Sequence, residues 1–169
     1  MRFKLVTLIA AAFLLAACES SEDAGGTATT TDTATTSTTT APTAIAGPTP
    51  GSQEDLVVNV GDRVFFDFDK SDLRPEARAT VEALAVWMNN YPATTIALEG
   101  HADERGTREY NLALGERRAN SIRDYLVALG IGSNRSSTIS YGKERPAVLG
   151  SNEEAWAQNR RVEIIYRNR

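Results

Sequence analysis

The chain has 169 residues, a formal net charge of −4 and a single cysteine. One cysteine excludes an intramolecular disulfide, and an acidic balance argues against general nucleic-acid binding, which relies on a positive face. No apolar stretch after Cys18 approaches the length of about 20 residues that a membrane-spanning helix needs.

Arg2 and Lys4 precede an apolar run from Leu5 to Ala17. A basic start and a short apolar centre read as a secretory signal over residues 1–17. The segment closes Leu15-Ala16-Ala17-Cys18, which resembles the lipobox of bacterial lipoproteins. Cleavage there would leave Cys18 as a lipidated N-terminus, and two or more acyl chains hold stably where one does so only marginally. Glu19, rather than Asp, follows the cysteine, which is compatible with sorting to the outer membrane. Residues 18–53 then read as a tether: Thr, Ser, Ala, Gly and Pro dominate, and Ile45 is the one large aliphatic residue after the cysteine. Such a composition cannot bury a core and is expected to be disordered. As a coil it would span about 30–35 Å, and fully extended at most roughly 110–120 Å.

From residue 54 to residue 169 the composition becomes globular, enough for one core and too little for two. Val64, Phe66 and Phe68 alternate with Phe65 and Asp67, the period of a strand. Asp69-Lys70-Ser71-Asp72 interrupts it, and Pro75 suits the first turn of a helix. Ala77, Val81, Leu84, Ala85 and Met88 form an apolar stripe at helical spacing, closed at Tyr91-Pro92. Thr95 to Glu99 follows as a strand with Ile96 and Leu98 on one face. A charged stretch, GHADERGTREYNLALGERRA (Gly100 to Ala119), leads into a helix that ends near Gly130, where glycine fits the position after the cap. Ser137 to Tyr141 reads as a strand, Asn152 to Asn159 as a short helix, and Val162, Ile164 and Tyr166 as a last strand. The order β-α-β-α-β-α-β predicts a two-layer α/β domain with the helices against one side of a sheet.

Within the charged stretch, Gly100 allows close backbone approach and Gly106 a turn with positive φ. The helix is expected to begin between Thr107 and Asn111. Ile122, Leu126, Leu129, Ala119 and Gly115 share its buried stripe. Arg118 lies four residues before Ile122, about 40° away on the wheel and within that face, whereas Arg117 points about 140° away toward water. Arg118 therefore needs an anion, because an unpaired and partly buried charge is costly. Helical side chains lean toward the N-terminus, where Asp103 and Glu104 sit in the loop and free N–H groups favour an anion. Two readings stand: an internal Asp103–Arg118 ion pair that closes the loop, or a shallow site for a zwitterion, with a carboxylate on Arg118 and an ammonium on Asp103.

Four blocks in order, FDFDKSD (Phe66 to Asp72), the charged stretch, SYGKERP (Ser140 to Pro146) and NRRVE (Asn159 to Glu163), resemble the peptidoglycan-associated lipoprotein branch of the OmpA-like family. The resemblance covers almost all of residues 60–167. It implies an OmpA-C-like α+β sandwich with a four-stranded mixed sheet, and noncovalent binding of peptidoglycan through the diaminopimelate of its stem peptide. By position, Asp103 would take the ammonium of that residue and Arg118 its carboxylate. Phe68 and Asp69 would contribute at the first strand–helix turn, Asp69 largely through its backbone, and Thr107, Asn111 and Leu114 would line the site. Each has a plainer role to set beside this: Phe68 and Leu114 as core, Asp69 and Thr107 as caps, Asn111 as a loop brace. Arg160 and Arg161 are expected to hold structural ion pairs. The resemblance also implies TolB and other Tol proteins as partners, an outer-membrane lipid anchor with the domain in the periplasm, and a part in constriction at cell division. The alternative within the family is a wall-binding lipoprotein independent of Tol.

An enzyme is the contrasting class. His101 is the single histidine, beside Glu99 and Asp103. One imidazole with scattered carboxylates is a poor metal constellation, and no serine elbow supplies a nucleophile. His101 is expected to brace the loop through a hydrogen-bonded ring. The expectation is therefore a binding protein with no cofactor, no metal and no catalytic residues, a peptidoglycan hydrolase being the remote alternative.

Overall fold

The computed structural model describes residues 47–167, so the signal segment, Cys18 and most of the tether lie outside the described residues. Helix α1 (Gln53–Asn59) comes first, followed by β1 (Arg63–Phe65), α2 (Pro75–Asn90), β2 (Thr95–His101) and α3 (Arg108–Ala128). A short 3₁₀ turn at Ser133–Arg135, β3 (Ser136–Gly142), α4 (Glu153–Asn159) and β4 (Arg161–Arg167) complete the order. The sheet runs β1-β4-β2-β3, with β2 and β3 parallel and the other pairs antiparallel. The helix-then-strand alternation from β1 to β4 and the mixed four-stranded sheet match the expected two-layer fold.

Local chemistry places the ends. Pro75 opens α2, where its missing N–H costs nothing. The Thr107 side chain caps α3 by accepting from the Tyr110 N–H, and Gly130, at φ +92°, ends it. Asn152 caps α4 in the same way. Ile96 and Leu98 on β2 and Val162 and Ile164 on β4 turn toward α2 and α3, where they meet Leu84, Met88, Ile122 and Leu126 in one buried cluster.

Two features depart from the sequence reading. Helix α1 carries no apolar stripe long enough to announce it. It is fixed by Asp55, which is buried and accepts from the Gly51 N–H at 2.9 Å and from Trp87 Nε1 at 2.8 Å. Strand β1 stops at Phe65, so Val64 and Phe66 point into the core while Phe68 lies beyond the strand and is 57% exposed. Alternation continued past the last paired residue because Phe66 still packs inward, donating its N–H to the Arg160 carbonyl, while the chain then turns at Asp69. Asp69 is the one non-glycine with positive φ among the described residues, at +56°.

Candidate functional site

The turn after β1, the loop after β2 and the start of α3 enclose a pocket of about 170 Å³. Phe68, Asp69, Asp103, Arg105, Gly106, Tyr110, Asn111, Leu114 and Arg118 line it. Six of the seven residues expected at a binding site are thus brought together. Thr107 stands apart from the lining, its hydroxyl occupied in capping α3. Arg105, Gly106 and Tyr110 were not singled out as site residues. Tyr110 donates its hydroxyl to Asp69, which raises the phenol above its ordinary range and links the first turn to α3.

Arg118 has no exposed surface. No carboxylate among the described residues pairs with it. Its Nε donates to the Lys70 carbonyl at 2.8 Å, its Nη1 to the His101 carbonyl at 2.8 Å and its Nη2 to the Asp67 carbonyl at 3.0 Å. The guanidinium also lies over the Phe66 ring, 5.3 Å from its centre. The Asp103–Arg118 ion pair considered from the sequence does not form. Carbonyl dipoles from the turn after β1 and from the end of β2 stand in its place. Burial pulls the guanidinium down to about 10, with the charge of Asp103 partly opposing this, so it stays protonated at neutral pH. A guanidinium carries five N–H donors, so the three used here leave others for the pocket side.

Asp103 is buried and already partnered. Arg105 donates to Oδ1 from its backbone N–H at 3.1 Å and from Nε at 3.2 Å, and to Oδ2 from Nη2 at 2.6 Å. Arg160 Nη1 approaches the same Oδ2 at 3.5 Å. Burial pushes the carboxyl up, but these contacts outweigh it and hold Asp103 below its ordinary value. Arg105 is itself clamped between two aromatic faces, 4.0 Å from the centre of Phe68 and 4.1 Å from that of Trp156. This explains how Phe68 remains ordered while exposed: a guanidinium between two rings is a favourable cation–π arrangement. Asn111 donates to the Arg105 carbonyl at 2.7 Å, so it braces the loop as well as lining the pocket. Arg160 pairs with Glu153 at 2.6 Å and Arg161 with Glu163 at 2.7 Å, the structural roles expected of them.

His101 is the last residue of β2 and 2% exposed; its ring lies beside the Arg145 backbone, but neither nitrogen makes a hydrogen bond of good geometry among the described residues. Burial and the charge of Arg161 lower it to about 4, so the imidazole is neutral. It ends the strand, and the loop after β2 is braced by Asn111 and Arg105.

Residues 65–160 match the model of the OmpA family. The chain belongs to the OmpA family. The chain is 58% identical over 117 residues to a peptidoglycan-associated lipoprotein of Rhizobium meliloti, covering 69% of this chain and 66% of that relative. It is 56% identical over 117 residues to one of Brucella melitensis, covering 69% of this chain and 70% of the relative. The chain therefore spans just under two thirds of the Rhizobium meliloti protein. Among solved OmpA-family folds, the crystal structure of the peptidoglycan-associated lipoprotein from Burkholderia pseudomallei is 42% identical with a TM-score of 0.61, covering 63% of this chain and 90% of that one. The C-terminal domain of Helicobacter pylori MotB, 23% identical with a TM-score of 0.60, covers 64% of this chain and 85% of that domain, and shares the fold.

Proposed function

We propose that this chain is an envelope lipoprotein that binds peptidoglycan noncovalently, taking the diaminopimelate residue of the stem peptide into the Phe68–Arg118 pocket. The observation that carries the reading is Arg118: a fully buried cation whose hydrogen bonds among the described residues all go to neutral carbonyls, in the wall of a pocket that Asp103 also lines. An incoming carboxylate completes the charge balance of Arg118 and uses its remaining donors, and charge-assisted bonds of this kind are the strong ones. The ligand ammonium goes to Asp103. All four of the carboxylate's acceptor directions are engaged by Arg105 and Arg160, so the ammonium displaces a donor. Arg105 is the one to yield, because its side chain is 31% exposed against 8% for Arg160.

In this reading residues 1–17 are removed, lipidated Cys18 anchors the protein in the outer membrane, and residues 18–53 let the domain at 54–169 reach the wall. TolB and other Tol proteins are the partners, which ties the anchor to constriction at division. In this reading the protein binds without hydrolysing: the neutral, buried His101 is not part of the pocket lining.

Co-sedimentation with purified sacculi tests the site, using Asp103→Asn. The expected result is a folded variant with sharply reduced pelleting, because removing one charge of a buried contact typically costs about 2–5 kcal/mol. Normal pelleting by the folded variant would reject the assignment, and release of soluble muropeptides would replace binding with hydrolysis. The Tol-independent reading within the family is separated by TolB pull-down.

A further inference from the structure

We infer that the open face of the sheet carries a divalent transition-metal site formed by Glu99, His101 and Glu163. The register of β2 and β4 sets Glu99 directly opposite Glu163. His101 lies two residues along β2 and so projects from the same face, opposite to the face that Ile96 and Leu98 press into the helices. One ring nitrogen of His101 and one carboxylate oxygen from each glutamate lie within 4.8 Å of one another.

His101 supplies the independent sign of a ligand. It is 2% exposed, and neither ring nitrogen makes a hydrogen bond of good geometry among the described residues, although the Arg145 backbone lies beside the ring. That leaves at least one buried ring nitrogen without a partner, which is costly. Its ring is tucked beside Tyr141, with ring centres 5.5 Å apart, so it cannot swing out to water without unpacking. The two glutamates present a second cost, since like charges directly opposed across an antiparallel pair repel. A cation coordinated by all three satisfies one ring nitrogen and relieves the repulsion between the carboxylates.

Arginines also face this cluster, and their geometry leaves room. Arg161 Nε bonds Glu163 Oε1 at 2.7 Å, and Arg63 approaches the same oxygen at 3.9 Å. Arg167 lies 3.9 Å from Glu99 Oε1. All three contacts use Oε1, leaving Oε2 of each glutamate for a metal. Arg63 and Arg167 have side chains about half exposed, at 47% and 54%, so solvent screens their repulsion and they can turn away. Arg161 is buried and stays. Arg145 also lies near, 3.8 Å over the Tyr141 ring, but is exposed, so the buried fixed charge is two carboxylates against the one guanidinium of Arg161. Imidazole favours zinc and its neighbours over magnesium or calcium. Three protein ligands are the number found where zinc keeps an open fourth position, and bond lengths of about 2.0–2.2 Å require the glutamate side chains to draw in by roughly an ångström.

The test is a Co²⁺ titration of the purified full chain followed by visible absorption, with Zn²⁺ as competitor. The expected result is one saturable Co²⁺ per chain, displaced by Zn²⁺ and free of the thiolate charge-transfer band that Cys18 would add. Glu163→Gln and Glu99→Gln should each weaken it about tenfold or more, with circular dichroism checking the fold. Should Glu163→Gln unfold through loss of its Arg161 pair, Glu99→Gln decides, because among the described residues its one charged contact is the half-exposed Arg167. Absence of saturable bands, a thiolate band in their place, or unchanged affinity in folded Glu99→Gln overturns the site.

Discussion

Gly115 of α3 rests directly on Gly100 of β2. A β-carbon added at Gly100 would sit 1.9 Å from the Gly115 carbonyl oxygen, and one added at Gly115 would sit 2.8 Å from the Gly100 carbonyl oxygen. Both obstacles are backbone, so neither can rotate aside. This contact sets the height of α3 above the sheet one turn before Arg118, and thereby brings that guanidinium to the His101 carbonyl. Gly100→Ala is expected to destabilise the domain by about 3 kcal/mol, at the upper end for overpacking. Urea unfolding measures it, and a stability equal to the parent would show that α3 can lift without penalty.

Arg118 is structural as well as a site residue. Replacing it with Met removes the donor from three carbonyls, of which that of His101 is buried and those of Asp67 and Lys70 partly so. The expected loss is about 1–3 kcal/mol, so lost sacculus binding in that variant would not isolate the contact with ligand. Arg118→Lys separates the two roles. It keeps the charge and part of the carbonyl contacts but loses the planar fork. We expect a smaller stability loss than for Met and a disproportionate drop in pelleting, compared by urea midpoint and co-sedimentation on the same preparations.

Arg105 controls when Asp103 is charged. Asp103 is held below its ordinary value because the contacts from Arg105 and Arg160 outweigh burial. A carboxyl depressed in the folded state contributes stability above its unfolded value of about 3.9, and that contribution is lost as pH falls through the folded value. Sacculus binding that depends on ionised Asp103 should therefore stay level from neutral pH to below about 3.9. In Arg105→Ala burial is less opposed, so the carboxyl moves up and binding should fail at a higher pH than in the parent. Pelleting across an acid series reads this directly, and coincident profiles would remove Arg105 from that role.

The fold was legible because its helices carry long stripes and its caps stand where their chemistry requires them, as at Pro75, Thr107 and Gly130. The wheel separated Arg118 from Arg117, and the burial of Arg118 bears this out. Its partners were not legible: they are backbone carbonyls, which no residue type announces. Arg105 was equally hidden, since its place depends on Phe68 and Trp156, far apart in sequence and brought together only by the fold. Phe68 looked like strand because alternation does not record where pairing stops. His101 and Glu163 meet through strand register, which periodicity alone leaves undetermined.

Helix α1 gives the last test, because its stability rests on one buried carboxylate. Asp55 accepts from the Gly51 N–H, from Trp87 Nε1 and from Asn59 Nδ2 at 2.7 Å, and these bonds lower it despite burial. The Trp87 indole N–H has Asp55 as its hydrogen-bond partner, so Asp55→Ala leaves a buried donor unmet and loosens α1 from α2. The expected cost is about 3 kcal/mol, in line with loss of several bonds to a charged acceptor. The pocket lies on other elements, so sacculus binding by the folded fraction should be unchanged. Urea unfolding followed by tryptophan fluorescence checks the first expectation and co-sedimentation the second. A variant as stable as the parent would mean that α1 packs on its apolar contacts alone, chiefly Leu56, which has no exposed surface.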